Sequence, residues 1–384
     1  MLKRSLLLVS NVLRPYSMHC RVATVFSMLI VLVCSAGNAA AQLAQFDGTQ
    51  RPVALGFYEP QGVAVDQYGN LFVADADTFW ISEILAVNGQ IPPNPTIRLL
   101  YRDTVSNPER VAVDRQGNVY FTDLDNNNNL GNNTVKEILA VNGVIPASPT
   151  VIQLGSGLEY PYGIAVDSSG DVFVADTFHQ AIKEFVAVNG SVPSSPTILT
   201  IGSGWSAPQA ITVDGSGNLY VADTGNQAVK EVLAVNGSIP ASPTIVTLAA
   251  NYCSPDGVSL DIQGNLYFSS YCNTAIYEIL AANGTFPPVP FIKTISAAGV
   301  GRFSSVTVDS NEDIYVGGVF SGTQVPQVYP SDFGLVGVGT TAGVIPLMFT
   351  FIGPVTLGSV SVVTRGAGGM DFADVGTGTC VAGG

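Results

Sequence analysis

Histidine, tryptophan and charge are all scarce in this chain. Of 384 residues two are His and two are Trp, and Asp, Glu, Lys and Arg together make up 11 %. His19 belongs to the N-terminal segment discussed next, which leaves His179, and one imidazole cannot build a zinc centre that needs several. Cations are scarcer than anions, 15 Lys and Arg against 29 Asp and Glu, for a formal charge of −14. Such a surface repels phosphate backbones and anionic lipid heads, so nucleic acid and membrane surfaces are poor partners. Few stretches favour helix, whereas 41 Gly and 23 Pro supply many tight turns, the balance of an all-β protein.

The first 41 residues read as a secretory signal, followed by a short linker over 42–49. Lys3, Arg4, Arg14 and Arg21 precede the apolar run VATVFSMLIVLV, and Ala39-Ala40-Ala41 offers a small-residue cleavage site. The run holds about 12 residues, too few for a bilayer that needs ~20, so no stable membrane span is expected. A start at Met18 would give a signal of more ordinary length. Cleavage removes four basic residues and no acidic ones, which lowers the net charge to about −18. The expected location is secreted or extracytoplasmic, in the periplasm or at the cell surface.

What is plentiful is repetition. One phrase runs PQGVAVDQYGNLFVAD (60–75), PERVAVDRQGNVYFTD (108–123), PYGIAVDSSGDVFVAD (161–176) and PQAITVDGSGNLYVAD (208–223), with weaker copies at 255–270 and 303–318. A second phrase alternates with it, for example KEVLAVNGSIPASPTIV at 230–246. Anchor aspartates Asp66, Asp114, Asp167, Asp214, Asp261 and Asp309 recur roughly every 47 residues, and the Asn-rich insertion at 125–133 accounts for the one longer spacing. Each unit contains four apolar β-compatible runs separated by D-x-x-G and N-G turns, the pattern of a four-stranded propeller blade. The three Asn-Gly-[Ser/Thr] triplets at Asn189, Asn236 and Asn283 fall inside the repeat and read as turn chemistry rather than glycosylation sites. The sixth unit lacks a fourth strand, and the run RPVALGFYEP (51–60) stands in the matching register. The expected architecture is a six-bladed β-propeller over 50–329 whose last blade is closed by this N-terminal strand.

The pattern P-x-G-[IV]-x-V-D-x-x-G-N-[LV]-[YF]-V-A-D-T-x-N resembles the NHL repeat, which implies a six-bladed ring. The likeness is close in the first four units and decays afterwards, where Ser270 and Gly318 replace the second Asp. From Pro330 the repeat stops, and 330–384 resembles immunoglobulin-like repeats of the Hydin and choice-of-anchor type, read as a partial, truncated β-sandwich.

Candidate chemistry is thin. Cys20 and Cys34 leave with the signal; Cys253 and Cys272 flank two loops on one face of the fifth unit, where a disulfide is expected in an oxidising compartment. Asp75, Asp123, Asp176 and Asp223 recur at the end of strand two. They are weak candidates for a metal such as Ca²⁺, and recurrence in every good unit favours loop-capping instead. The resemblance brings enzymes into view, because gluconolactonase-like propellers hold a divalent cation with Glu, Asn and Asp in the central tunnel, and virginiamycin-type lyases use a histidine. No Glu stands out of register as a grafted ligand would. The loops after strand two and before strand one do vary, and carry Phe79, Trp80, Tyr160, Tyr162, Phe178, His179, Trp205, Tyr252 and Tyr271, with Tyr58 and Asp77 beside them. Aromatics on variable loops over a rigid frame make a candidate binding rim. The expected function is therefore a non-enzymatic binding or scaffold module for protein, peptide or glycan, with no cofactor. The alternative is a metal-dependent lactonase-like or lyase-like propeller enzyme.

Overall fold

Short apolar runs broken by Asp, Asn and Gly fold here into antiparallel four-stranded sheets, in a computed structural model. It describes residues 51–54, 56–104, 106–125, 133–272, 275–282, 284–296 and 302–319, together with strand segments 18–22, 28–33, 327–330, 345–349, 359–364 and 380–382. The chain divides into two units, Gln50–Tyr329 and a second made of Met1–Thr49 with Pro330–Gly384.

Gln50–Tyr329 is an all-β propeller ring. Its first blade orders Pro60–Val65, Leu71–Asp75, Trp80–Ile84 and Ile97–Arg102, and its second Ser106–Val113, Val119–Asp125, Thr134–Ile138 and Val151–Gly155. The third (Pro161–Ile201), fourth (Pro208–Ala250) and fifth (Pro255–Ser296) repeat the plan. The first strands touch their counterparts in the neighbouring sheets all the way round, so they line the axis. Among the described residues the one helical element is a 3-10 turn at Thr224–Asn226.

Where six like units were expected, five blades are contiguous in the chain. The sheet that follows has a different make, with Arg302–Val308, Asp313–Val319 and Gln327–Pro330 joined at the edge by Arg51–Pro52. The pairing is short, Gln327 with Pro52 and Val328 with Arg51, rather than the length of 51–60. Pro52 has no N–H to extend the ladder, and Gly56 turns the chain at φ +98°. Val53, Ala54 and Phe57 then pack in one core with Val63, Leu71 and Tyr315, which ties the composite sheet to the first blade.

The repeated phrases act together at one end of each blade. Asp66 accepts the N–H groups of Tyr68 and Asn70 at 2.9 and 2.8 Å, an Asx turn. Asn70 Oδ1 in turn accepts the N–H of Ala86 at 2.9 Å, joining this turn to the N-G turn of the same blade. The two turns lie so close that a Cβ on Gly69, at φ +84°, would sit 2.6 Å from the Gly89 carbonyl oxygen. Asn118, Asn218 and Asn265 repeat the bond to Ala140, Ala234 and Ala281, and Asp171 makes it to Ala187.

In the other unit, Met18–Val22 pairs antiparallel with Ile345–Phe349 and Cys380–Ala382, and Met28–Val33 pairs with Ser359–Thr364. The rest of the expected signal and of the expected immunoglobulin-like domain lies outside the described residues.

Cys253 and Cys272 form the expected disulfide, 19 residues apart in sequence. Replacing both by Ser is expected to lower unfolding free energy by about 3 kcal/mol for a loop of this size, read by urea denaturation with and without reductant.

The buried glutamate of strand three shows how the blades differ. Glu137, Glu231 and Glu278 each face a tyrosine of strand two (Tyr120, Tyr220, Tyr267), while Glu83 faces Phe72 but pairs with Arg98 at 2.9 Å. In the third blade Glu184 faces Phe173 and Leu199, and its Oε2 has no partner. Burial, then the charges of Asp171 and Asp167, pushes it up to about 7. The folded protein thus keeps a proton that the unfolded chain releases near 4.5, so stability falls as pH rises from about 4.5 to 7 and levels off above. Glu184→Gln is expected to remove on the order of 2 kcal/mol of that decline, measured as unfolding free energy at about pH 5 and about pH 8.

Candidate functional site

One column of the repeat does not repeat. The residue after the Pro of strand one is Gln61, Glu109, Tyr162, Gln209 and Asp256 in the five blades, and Ser304 holds the corresponding place in the composite sheet. Each of these strands carries a register irregularity at this point, for example between Pro60 and Gly62 and between Pro108 and Val111. Such bulges release side chains from the ladder, and here they do so at the axial opening of the ring.

The following position should be small. A Cβ on Gly62 would lie 2.7 Å from the Cα of Arg110, and one on Gly163 2.7 Å from that of Ala210. The second blade breaks the rule with Arg110, whose side chain runs to the far side of the ring. Its Nη2 donates to Asp256 Oδ1 at 3.1 Å and to the Ser304 carbonyl at 3.0 Å, and its Nη1 donates to the Gln61 carbonyl at 2.7 Å. The guanidinium also lies 5.7 Å from the centre of the Tyr162 ring. Arg110 Nε and Ser304 Oγ are buried without partners.

Burial raises the pKa values of this cluster. Glu109 is pushed up to about 7 by burial, against the pull of Arg110, with Glu59 and Asp256 adding to the rise. Asp256 rises to about 6 for the same first reason, again opposed by Arg110. Tyr162 is pushed up to about 12 by burial and then by the Glu109 charge. Two carboxyls, a guanidinium and a phenol therefore meet at the axis. Sequence reading missed Glu109 and Arg110, although P-E-R at 108–110 stood against P-Q-G, P-Y-G, P-Q-A and P-D-G.

The expected rim divides. Tyr160 and Phe178 stack at 4.2 Å between ring centres, with Phe178 55 % exposed. His179 beside them is held by Asp176 at 2.8 Å and Glu159 at 3.4 Å. Tyr271 is exposed, and Trp80 and Phe79 are half-buried, Trp80 beneath the Arg102 guanidinium at 5.7 Å. Trp205 is no rim residue: it is 4 % exposed, donates Nε1 to the Ile201 carbonyl at 2.8 Å and fills the core between the third and fourth blades. Tyr252 packs edge-on against Phe268 and Tyr277 in the next core. Tyr162 belongs to the axis.

The recurring aspartates serve their own loops. Asp75 accepts the N–H groups of Tyr58 and Glu59 at 3.0 and 2.7 Å, Asp176 that of Glu159 at 2.7 Å, and Asp223 that of Ser206 at 2.8 Å. Asp123 takes the Ser106 hydroxyl at 2.8 Å and pairs with Lys136. Ser270, in the same place in the fifth blade, reverses the polarity and donates to the Cys253 carbonyl at 2.6 Å. Among the described residues no three of His, Cys, Asp and Glu gather as a metal site.

No protein-family model and no curated protein matches the sequence. Solved structures do. A chain of a nidogen/laminin complex is 17 % identical at TM-score 0.50, covering 65 % of this chain and 85 % of its own. A putative oxidoreductase (glucose dehydrogenase) from Thermus thermophilus reaches 0.52 at 15 % identity, covering 73 % and 99 %. A putative gluconolactonase reaches 0.52 at 14 % identity, covering 77 % and 94 %. The likeness is one of fold. These propellers include both binding and enzymatic proteins, so the fold decides neither.

Arg110→Met leaves the Asp256 carboxyl buried without its cation, and is expected to cost about 3–5 kcal/mol in urea unfolding. Adding Asp256→Leu should recover most of that loss, since the pair is then removed together.

Proposed function

We propose that the chain is a secreted, NHL-type six-bladed propeller, with the composite sheet as its sixth blade, and that it binds a protein, peptide or glycan through the face where strand one begins. The observation that carries this reading is the Tyr160–Phe178 stack, with Phe178 exposed and His179 fixed beside it by two carboxylates. Stacked rings held on a rigid blade give contact area at little entropic cost. Tyr160 stands two residues before Tyr162, at the end of the blade where strand one begins. The disulfide in the fifth blade fits an oxidising compartment, which the expected N-terminal leader would also require.

The enzyme reading fits the axis less well. A divalent cation in the tunnel would need oxygen ligands from several blades. Here the Arg110 guanidinium already takes Asp256 and the carbonyls of Gln61 and Ser304, and places a fixed positive charge where the cation would sit. An array of glycans and peptides probed with the labelled protein should give binders whose affinity falls at least ~10-fold in Tyr160→Ala with Phe178→Ala. Lactone hydrolysis or lyase turnover abolished by a chelator would overturn the reading, as would a silent array.

A further inference from the structure

The axis holds one anion too many. Arg110 and Asp256 are opposite charges 3.1 Å apart, and the guanidinium's remaining Nη contacts go to backbone carbonyls. Glu109 is left over. It is 7 % exposed, and its carboxyl makes no hydrogen bond with any described side chain or backbone group. Unlike Arg110 Nε and Ser304 Oγ, its carboxyl oxygens are not closed off without a partner, which leaves them open to a group entering the axis. The groups around it are Arg110, Glu59, Asp256 and Asp123, of which three are acids, so its surroundings favour a further positive charge. Its neighbours in the axial column, Gln61, Tyr162 and Gln209, are only half-buried, so the opening is not sealed by its own side chains.

We infer that the axial opening receives a single cationic side chain, a lysine ammonium or arginine guanidinium of a protein or peptide partner, which pairs with Glu109 beside the Tyr162 ring. This rests on the binding reading above and names its ligand class. A monocation suits the site where a divalent ion does not, because one charge is unmatched and one carboxylate is free to meet it. The Tyr162 ring already carries the Arg110 guanidinium at 5.7 Å, so the incoming cation would pair with Glu109 alone, and Tyr160 with Phe178 would cover its apolar stem or the residues flanking it. The net acidity of the chain would speed the approach of a basic partner without fixing where it docks.

The test uses fluorescein-labelled hexalysine and its fully acetylated counterpart, titrated into the full chain at physiological salt and read by anisotropy. Hexalysine should bind saturably and one to one, acetylation should abolish binding, and Glu109→Gln should weaken it at least ~10-fold. Glu109→Gln should leave the circular dichroism unchanged and should not lower the melting temperature, because burial and the neighbouring acids already disfavour the charge there. Hexalysine binding that Glu109→Gln leaves unchanged would show attraction to the acidic surface only and would overturn the inference. So would no binding at millimolar peptide. Array binders that need Tyr160 and Phe178 but not Glu109 would also sink it while leaving the binding reading intact; a silent array sinks the reading itself.

Discussion

Everything at the axis follows from how closely the first strands approach one another. With a Cβ on Gly62 placed 2.7 Å from the neighbouring Cα, the column 62, 163, 210, 257 and 305 is confined to Gly, Ala and Ser. Close approach lets the blades bury Val, Ile, Leu and Phe between them without gaps, as in the core shared by Ala165, Phe173, Ile211 and Val221. Arg110 is the exception that this geometry makes informative. A long cation at that position has no room between blades, so it crosses the opening instead, and Asp256 and two carbonyls on other blades receive it. One substitution in the repeat thereby links four sheets through a buried polar contact.

The repeat itself was legible because its chemistry is local. D-x-x-G and N-G turns, alternating apolar strands and the Asn that bridges them are written within each unit, and the structure uses them as the pattern implies. The disulfide was legible for the same reason, since both cysteines sit at one end of one blade. The closing segment was harder. Residues 51–60 look like a strand by composition, yet Pro52 and Gly56 leave two residues to pair, while Val53, Ala54 and Phe57 serve the core instead.

Side chains that meet across the ring were not legible. Arg110 and Asp256 stand 146 residues apart, and nothing in either unit announces the other. The aromatic loops show the same limit. Trp205 stands on the loop before strand one of its blade and Phe178 on the loop after strand two of its own, but Trp205 turns inward to bond the Ile201 carbonyl, whereas Phe178 stays out and stacks on Tyr160. Burial on a loop depends on the gap between two blades, which is set by residues of the neighbouring unit.

Repetition therefore cuts in two directions. Columns that recur, such as the strand-two aspartates, are answered within their own blade and give a ring no unique point. The column that reads Gln, Glu, Tyr, Gln, Asp and Ser is the opposite case, because the backbone delivers each of its positions to the same axis while the side chains differ. A closed ring has one such axis, and variation there is not diluted by symmetry. Variation in the axial column is therefore not averaged out around the ring, and Glu109 and Arg110 are where this chain departs furthest from its own pattern.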